Sequence, residues 1–405
     1  MYPITAGNTN LRARIRIGLD RLRDNGFTEL KGRSVGLLCN HASIGADLTH
    51  AIDALLPLHL NGHLNLAAVF GPQHGLWGHT QDNMIEWRGG TDARTGLTVH
   101  SLYGEHREPT DEMLDGVDTF VIDIPDVGAR CYTFIWTAAL CLKACSRKGI
   151  PVVVLDRPNP IGGAAAEGPV LDPAFASFIG LHPLPLRHGL TVGEVCLHIR
   201  NTCYPHLELG VVRMEGWSRK MRYRDTGLPW VAPSPNLPTP ETATVYPGMA
   251  LFEGAVYSEG RGTTTPFETF GQPGLDGWKL AERFNAIGLP GVRLRPVVFE
   301  PTFDKYRQEL CGGCFVHVTD TQAFRPVWTA VTILQCLADI DGAGFGWREG
   351  PFEYEYEIPP IDILAGCSWI REGIGDMSTT EVRDRLDAES ADFEPLRRDA
   401  ILYTD

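Results

Sequence analysis

From Asn10 to Asp156 the chain alternates short apolar runs with stretches of helical spacing. Leu11, Ile15, Leu19 and Leu22 recur at helical intervals and predict a helix over Asn10–Asn25. Runs rich in Val, Ile and Leu predict strands at "SVGLLC" (Ser34–Cys39), "LNLAAVF" (Leu64–Phe70), "DTFVIDI" (Asp118–Ile124) and "PVVVLD" (Pro151–Asp156), with a shorter one at "TVHSLY". Between them lie predicted helices near Leu48–Leu56, Thr110–Leu114 and Cys131–Lys148. Apolar strands alternating with helices are the signature of a parallel sheet covered on both faces, so this part reads as doubly wound α/β.

Beyond it the pattern changes twice. "VAPSPNLPTPETATVYPG" (Val231–Gly248) is rich in proline and predicts extended chain, and "LFEGAVYSEGRGTTTPFETFG" (Leu251–Gly271) predicts a long, glycine-bearing loop. From about Gly291, strands "VRLRPVVF" and "GCFVHVTD" precede helices over Gln322–Asp339 and Thr380–Leu386, a smaller α+β pattern. The expected division is therefore residues 1–285 for the sheet domain with its long loops and 286–405 for the smaller domain. A cleft between two such domains is where a site is expected.

In open α/β sheets ligands bind outside the carboxyl ends of the strands. Four predicted strands end in polar clusters: Asn40, His41 and Ser43; Gln73 and His74; Asp126 and Arg130; Asp156, Arg157 and Asn159. Each cluster also suits helix capping or a turn. Four along one edge favour a site. Neither a G-x-G-x-x-G fingerprint nor a phosphate-binding lysine loop accompanies them, and H-E-x-x-H and G-x-S-x-G are missing too.

Composition removes other classes. The formal charge of -14 opposes a nucleic-acid partner, which needs a Lys/Arg-rich face. The apolar runs are too short to span a bilayer. The first residues lack the apolar core of a signal peptide, so a cytoplasmic protein is expected, the alternative being an exported one whose leader has been removed. Ten cysteines stand mostly in apolar context as small hydrophobes. Cys311 and Cys314 form a C-x2-C pair with no second pair to complete a zinc site, and read as a turn.

Carboxylates, His and Tyr remain as catalysts. Glycoside hydrolysis uses one carboxylic acid to protonate the leaving oxygen and a second group at the anomeric carbon; Glu86, Asp123, Asp126, Glu253 and Glu259 are candidates. His74 and His188 are candidate positioning or proton-carrying groups. Trp77, Trp87 and Trp136 offer faces for sugar rings, and Arg130, Arg157, Arg187 and Arg261 offer forks for a carboxylate.

The ordered segments "GLLCNHASIG", "FGPQHG", "DIPDVGARCYTFIWT", "VLDRPNPIGG", "LPLRHGLTVGE", "SPNLPTPETATVYPG" and "FEGAVYSEGRGTTTPFE" resemble the exo-β-N-acetylmuramidase family of glycoside hydrolases from about Gly18 to the C-terminus. The resemblance implies a Rossmann-like domain, a smaller C-terminal domain, a cleft between them, and removal of terminal N-acetylmuramic acid from peptidoglycan fragments (muropeptides or derived disaccharides) without metal or organic cofactor. It also exposes departures. Where many members read G-P-E-H-G this chain has Gln73, and Ala255 and Val256 stand where a Thr-Asn pair is expected.

With an amide at position 73, Glu86 is the expected acid, with Gln73, His74 and Tyr132 orienting the sugar and Arg130 or Arg261 gripping its lactyl carboxylate. Asn40, His41, Asp126, Asp156, Arg157, Asn159, His188, Glu253 and Glu259 complete the expected substrate-binding set. The substrate's own acetamido group is a possible nucleophile. The competing expectations are a carbohydrate-binding protein that lost catalysis through Gln73, or an amidase acting on the same polymer.

Overall fold

β1 (Ser34–Cys39) is buried at every residue but its first, as the centre of a two-faced sheet requires. In the computed structural model, which describes residues 15–82, 84–341 and 344–404, it sits mid-sheet in a seven-stranded layer. β2 (Asn65–Gly71), β4 (Thr98–Ser101) and the edge strand β3 (Gly90–Thr91) lie to one side. β5 (Thr119–Asp123), β6 (Val152–Leu155) and β9 (Leu209–Val212) lie to the other. Every pairing is parallel except β3 with β4. The chain therefore leaves β1 in one direction, returns, and continues through β5 in the other. That is the strand order of a Rossmann sheet, with its switch point between β1 and β5.

Register brings the polar clusters to one level. Cys39 pairs with Asp123 and Leu38 with Phe70, so the chain leaves all three strands along one rim. Helices Ala51–Leu60, Phe134–Lys148 and Val192–Cys203 cover the sheet. The last is fixed by a reciprocal cap in which Thr191 and Glu194 satisfy each other's backbone N–H.

A short antiparallel pair, β7 (Glu167–Val170) and β8 (Pro185–Arg187), and a three-stranded antiparallel sheet complete the strands. The latter runs β10 (Thr269–Gln272), β12 (Cys311–Val318), β11 (Val292–Phe299). β10 is drawn from the glycine-bearing loop, so the small sheet begins ahead of the 285/286 division. Leu38 and Phe120 of the large sheet share one continuous core with Phe270 and Val292 of the small one. The two parts pack as one body.

Several local expectations are corrected. Within the expected helix 110–114, residues 111–114 belong instead to a run of turns over 111–116, too short a span to nucleate a helix. Extended chain after Val231 ends at Thr239, whose hydroxyl accepts the Thr242 N–H at 3.1 Å. With Pro240 at the first helical position, this starts the helix Pro240–Met249. Cys311 and Cys314 lie within β12 rather than in a turn. The expected first helix spans Gly18–Asp24; its proposed beginning at Asn10 lies outside the described residues.

Candidate active site

The rim after β2 turns sharply into a buried pocket. His74 adopts a left-handed backbone (φ 70°), followed by Gly75 (85°) and Gly78 (67°). Trp87, from further along the same segment, donates its indole N–H to Pro72 O at 2.9 Å and so closes the loop. A left-handed non-glycine residue costs of order 1 kcal/mol and persists where the surroundings over-determine it. Here His74 Nδ1 is 2.8 Å from Thr80 O. A carbonyl only accepts, so Nδ1 carries the hydrogen and Nε2 keeps its lone pair. Burial holds the ring's pKa down to about 4. At neutral pH it is therefore an uncharged acceptor on the pocket wall.

Gln73 is oriented by the start of the helix behind it. Its Oε1 accepts the Thr133 hydroxyl at 2.6 Å, which leaves the amide nitrogen to donate. The partner is Glu353, a buried carboxyl from the C-terminal part that also accepts the Tyr103 hydroxyl at 3.0 Å. Burial raises the Glu353 pKa, and these two donors partly oppose it.

Opposite stand Glu253 and Arg261. The guanidinium lies 3.2 Å from Glu253 and 3.1 Å from Glu259, and Lys305 Nζ lies 3.0 Å from Glu259. Lys305 also donates to the carbonyls of Phe252, Ala255 and Tyr257, which ties this loop down. Burial lifts the Glu253 pKa to about 7 despite the Arg261 cation, with the Glu259 charge adding to the rise. Glu259 moves the other way, held down by Lys305 and Arg261 against its own burial. One pocket thus gathers Gln73, His74, Glu253, Arg261 and Glu353, walled by Tyr132, Tyr246, Phe267 and Phe352. The Tyr132 hydroxyl faces Ser234 without a well-aligned hydrogen bond.

Most of the other rim residues are consumed by the frame. Asn40 Nδ2 donates to Pro233 O at 3.0 Å and His41 Nε2 lies 2.7 Å from Ala232 O, so both pin the proline-rich segment instead of facing the pocket. Asp156 accepts from Gly193 N, the Thr191 hydroxyl and the Tyr403 hydroxyl, anchoring the start of the Val192–Cys203 helix. Arg157 forks onto Asp123 at 2.5 and 2.8 Å. Asn159 closes a turn between Ile161 N and Leu190 O. His188 is fully buried with Nε2 3.1 Å from Asp126. Asp126 and Arg157 line a neighbouring hollow beneath Trp230 and Tyr223.

Three expectations are corrected outright. Glu86 is half-exposed, pairs with Arg107 at 3.3 Å and borders a shallow groove beside β3 and β4, outside the pocket of Gln73 and His74. Trp87 turns into the core instead of offering its face to a sugar ring. Arg130 is fully buried and spends its guanidinium on the carbonyls of Pro169, Leu184 and Leu364, so it is a frame cation rather than a carboxylate fork. None of the three tryptophans lines the pocket: Trp136 is buried with its N–H on Arg130 O, and Trp77 lies outside, stacked near His50.

The residue missed altogether is Glu353. It sits in the aromatic and acidic run "FEYEYEI", and it meets Tyr103 across 250 positions of sequence. The alternation of Glu with aromatics was its only local mark.

Comparison with known proteins agrees over the whole length. A family model described as exo-beta-N-acetylmuramidase NamZ, N-terminal, matches residues 35–241, and its C-terminal counterpart matches residues 244–403. The chain is 39% identical over 405 residues to the peptidoglycan beta-N-acetylmuramidase NamZ of Bacillus subtilis (strain 168), covering 99% of this chain and 94% of that one. Two crystal structures of DUF1343 family proteins from Bacteroides fragilis NCTC 9343 are similar. One superposes with a TM-score of 0.88 at 33% identity, over 97% of this chain and 100% of that one. The other gives 0.76 at 26% identity, over 96% and 99%.

Proposed function

The chain belongs to the exo-β-N-acetylmuramidase family of glycoside hydrolases, and from that premise we propose that it releases terminal β-linked N-acetylmuramic acid from peptidoglycan fragments, with Glu253 as proton donor. The carrying observation is Glu253 itself: a buried carboxyl with a pKa near neutrality, beside a buried cation, in the pocket lined by the segments that follow β2 and β5. General acid catalysis works best when the acid's pKa lies near the working pH.

The chemistry then divides among the chain's own groups. The substrate's acetamido oxygen attacks the anomeric carbon as the glycosidic bond breaks, and the leaving oxygen takes the Glu253 proton. Water opens the cyclic intermediate, its hydroxyl going to the anomeric carbon and its proton back to Glu253. His74 Nε2 accepts from a sugar hydroxyl, and the Tyr132 hydroxyl donates to one. Arg261, held between Glu253 and the Glu259 carboxylate, supplies the positive charge that an acidic sugar meets on entering an acidic protein.

The test is incubation with a nitrophenyl N-acetyl-β-muraminide and with intact muropeptides. Release of nitrophenol, with free muramic acid, is the expected result. Saturable binding without product would instead make the protein a carbohydrate-binding module, and release of peptide would make it an amidase.

A further inference from the structure

Phe352 and Glu355 exchange backbone hydrogen bonds at 3.0 and 2.9 Å around a two-residue turn. Its two central residues, Glu353 (φ 47°) and Tyr354 (φ 67°), both adopt the left-handed conformation without being glycine. Such turns normally take Asn or Gly there, and each exception costs of order 1 kcal/mol or more. The turn's effect is to drive a glutamate from the C-terminal part into the pocket formed mainly by the sheet domain.

Both donors that meet it are oriented. The Gln73 amide keeps one orientation, because only its nitrogen can donate to the Glu353 carboxylate while its oxygen accepts from Thr133. Tyr103 is buried and its ring carries the Arg107 guanidinium at 4.2 Å. The charged groups around Glu353 are Arg107 and Arg261, which favour its ionised form, and Glu253, which opposes it. A buried carboxylate with two fixed donors on the pocket wall has remaining lone pairs for a donor on the substrate.

We infer that Glu353 is a catalytic residue, the carboxylate that accepts the substrate's acetamido N–H, and that Gln73 is the donor holding it in place rather than the remnant of a lost acid. The inference rests on the hydrolase reading above and deepens it. As the acetamido oxygen bonds to the anomeric carbon, positive charge develops on the amide nitrogen. Glu353 stabilises that charge through the N–H hydrogen bond, without taking the proton, while Glu253 protonates the departing oxygen. A glutamate at position 73 would set two carboxyls against one another, and one would hold a proton at neutral pH. The amide avoids this.

The two carboxyls differ in what a leaving group does to them. Glu353→Gln should lower kcat by about 10²–10³-fold on nitrophenyl and natural muraminides alike, since cyclisation fails for both. Glu253→Gln should spare the first-turnover release of nitrophenol, whose departure needs no proton, and harm the natural substrate in that same step. Gln73→Glu should move the acid limb of the kcat/KM profile to higher pH. With an active parent protein, Glu353→Gln activity within a few-fold of the parent, or a loss confined to poor leaving groups, would overturn this assignment alone. If Glu353→Gln does not fold by near-ultraviolet circular dichroism, the Gln73→Glu profile decides, and an unmoved acid limb overturns it. A parent protein inactive on every muraminide would overturn the hydrolase reading, and the assignment with it.

Discussion

Replacing Arg261 with methionine removes a guanidinium that touches both Glu253 and Glu259 while keeping most of its apolar length. The consequences are unequal. Glu259 keeps the Lys305 ammonium at 3.0 Å, whereas Glu253 loses its 3.2 Å contact with a cation. At an effective dielectric near 20, contact between unit charges is worth about 4 kcal/mol. With about 1.4 kcal/mol per pKa unit, the carboxyl of Glu253 should rise by roughly one to three units from its already raised position. The alkaline limb of the pH–rate profile on a poor leaving group should therefore move up by at least about one unit, because the protonated acid survives to higher pH. Stability should fall in a pH-dependent way. A carboxyl whose folded pKa lies above its unfolded value stabilises the fold while protonated and loses that contribution as pH rises towards the folded pKa. Urea unfolding should thus show a larger loss near pH 8 than near pH 5, the difference being about 1 kcal/mol, because a folded pKa raised from about 7 defers ionisation by no more than about one unit at pH 8. Equal losses at both pH values, together with an unmoved alkaline limb, would refute the coupling of Arg261 to Glu253.

Arg130→Met strands three buried carbonyls and should cost about 3 kcal/mol or more in urea unfolding, without altering the ratio of muraminide to glucosaminide turnover; a selective loss on muraminides would return Arg130 to substrate recognition. Glu86→Gln changes only a half-exposed ion pair, worth about 0–1 kcal/mol, and should leave kcat on the natural glycoside within twofold; a hundredfold loss would restore it as the acid. His74, with its folded pKa lowered to about 4, binds its proton more readily when unfolded. Stability should therefore rise with pH between about 4 and 6.5 through this group, and His74→Gln should flatten that part of the urea-midpoint profile; an unchanged slope would remove His74 from the pH response.

The sheet was legible because buried parallel strands read as unbroken Val/Ile/Leu runs, and β1, β2, β5 and β6 stand within a residue or two of where those runs place them. The rim was legible for the same reason, since strand ends locate themselves once strands do. What each rim residue faces was not. Asn40, Asp156, Asn159 and Arg130 carry the same functional groups whether they meet a sugar or a neighbouring carbonyl, and only the packing of segments remote in sequence decides it. Glu353 was illegible for the complementary reason. Its importance comes from a left-handed turn that delivers it to Tyr103 and Gln73, and neither contact leaves a periodicity to detect. The resemblance to a hydrolase family points to position 73 as the place where a carboxyl is missing, yet Glu86 is near that position in sequence rather than in space.

The central claim, hydrolysis from the muramic-acid end, is tested most directly by mass spectrometry of two defined peptidoglycan oligosaccharides. One presents N-acetylmuramic acid at its non-reducing end, and the other carries an additional N-acetylglucosamine cap on that end. Release of free N-acetylmuramic acid from the first, and no cleavage of the second, is expected. Internal cleavage of the capped chain, or an intact uncapped one, would contradict it.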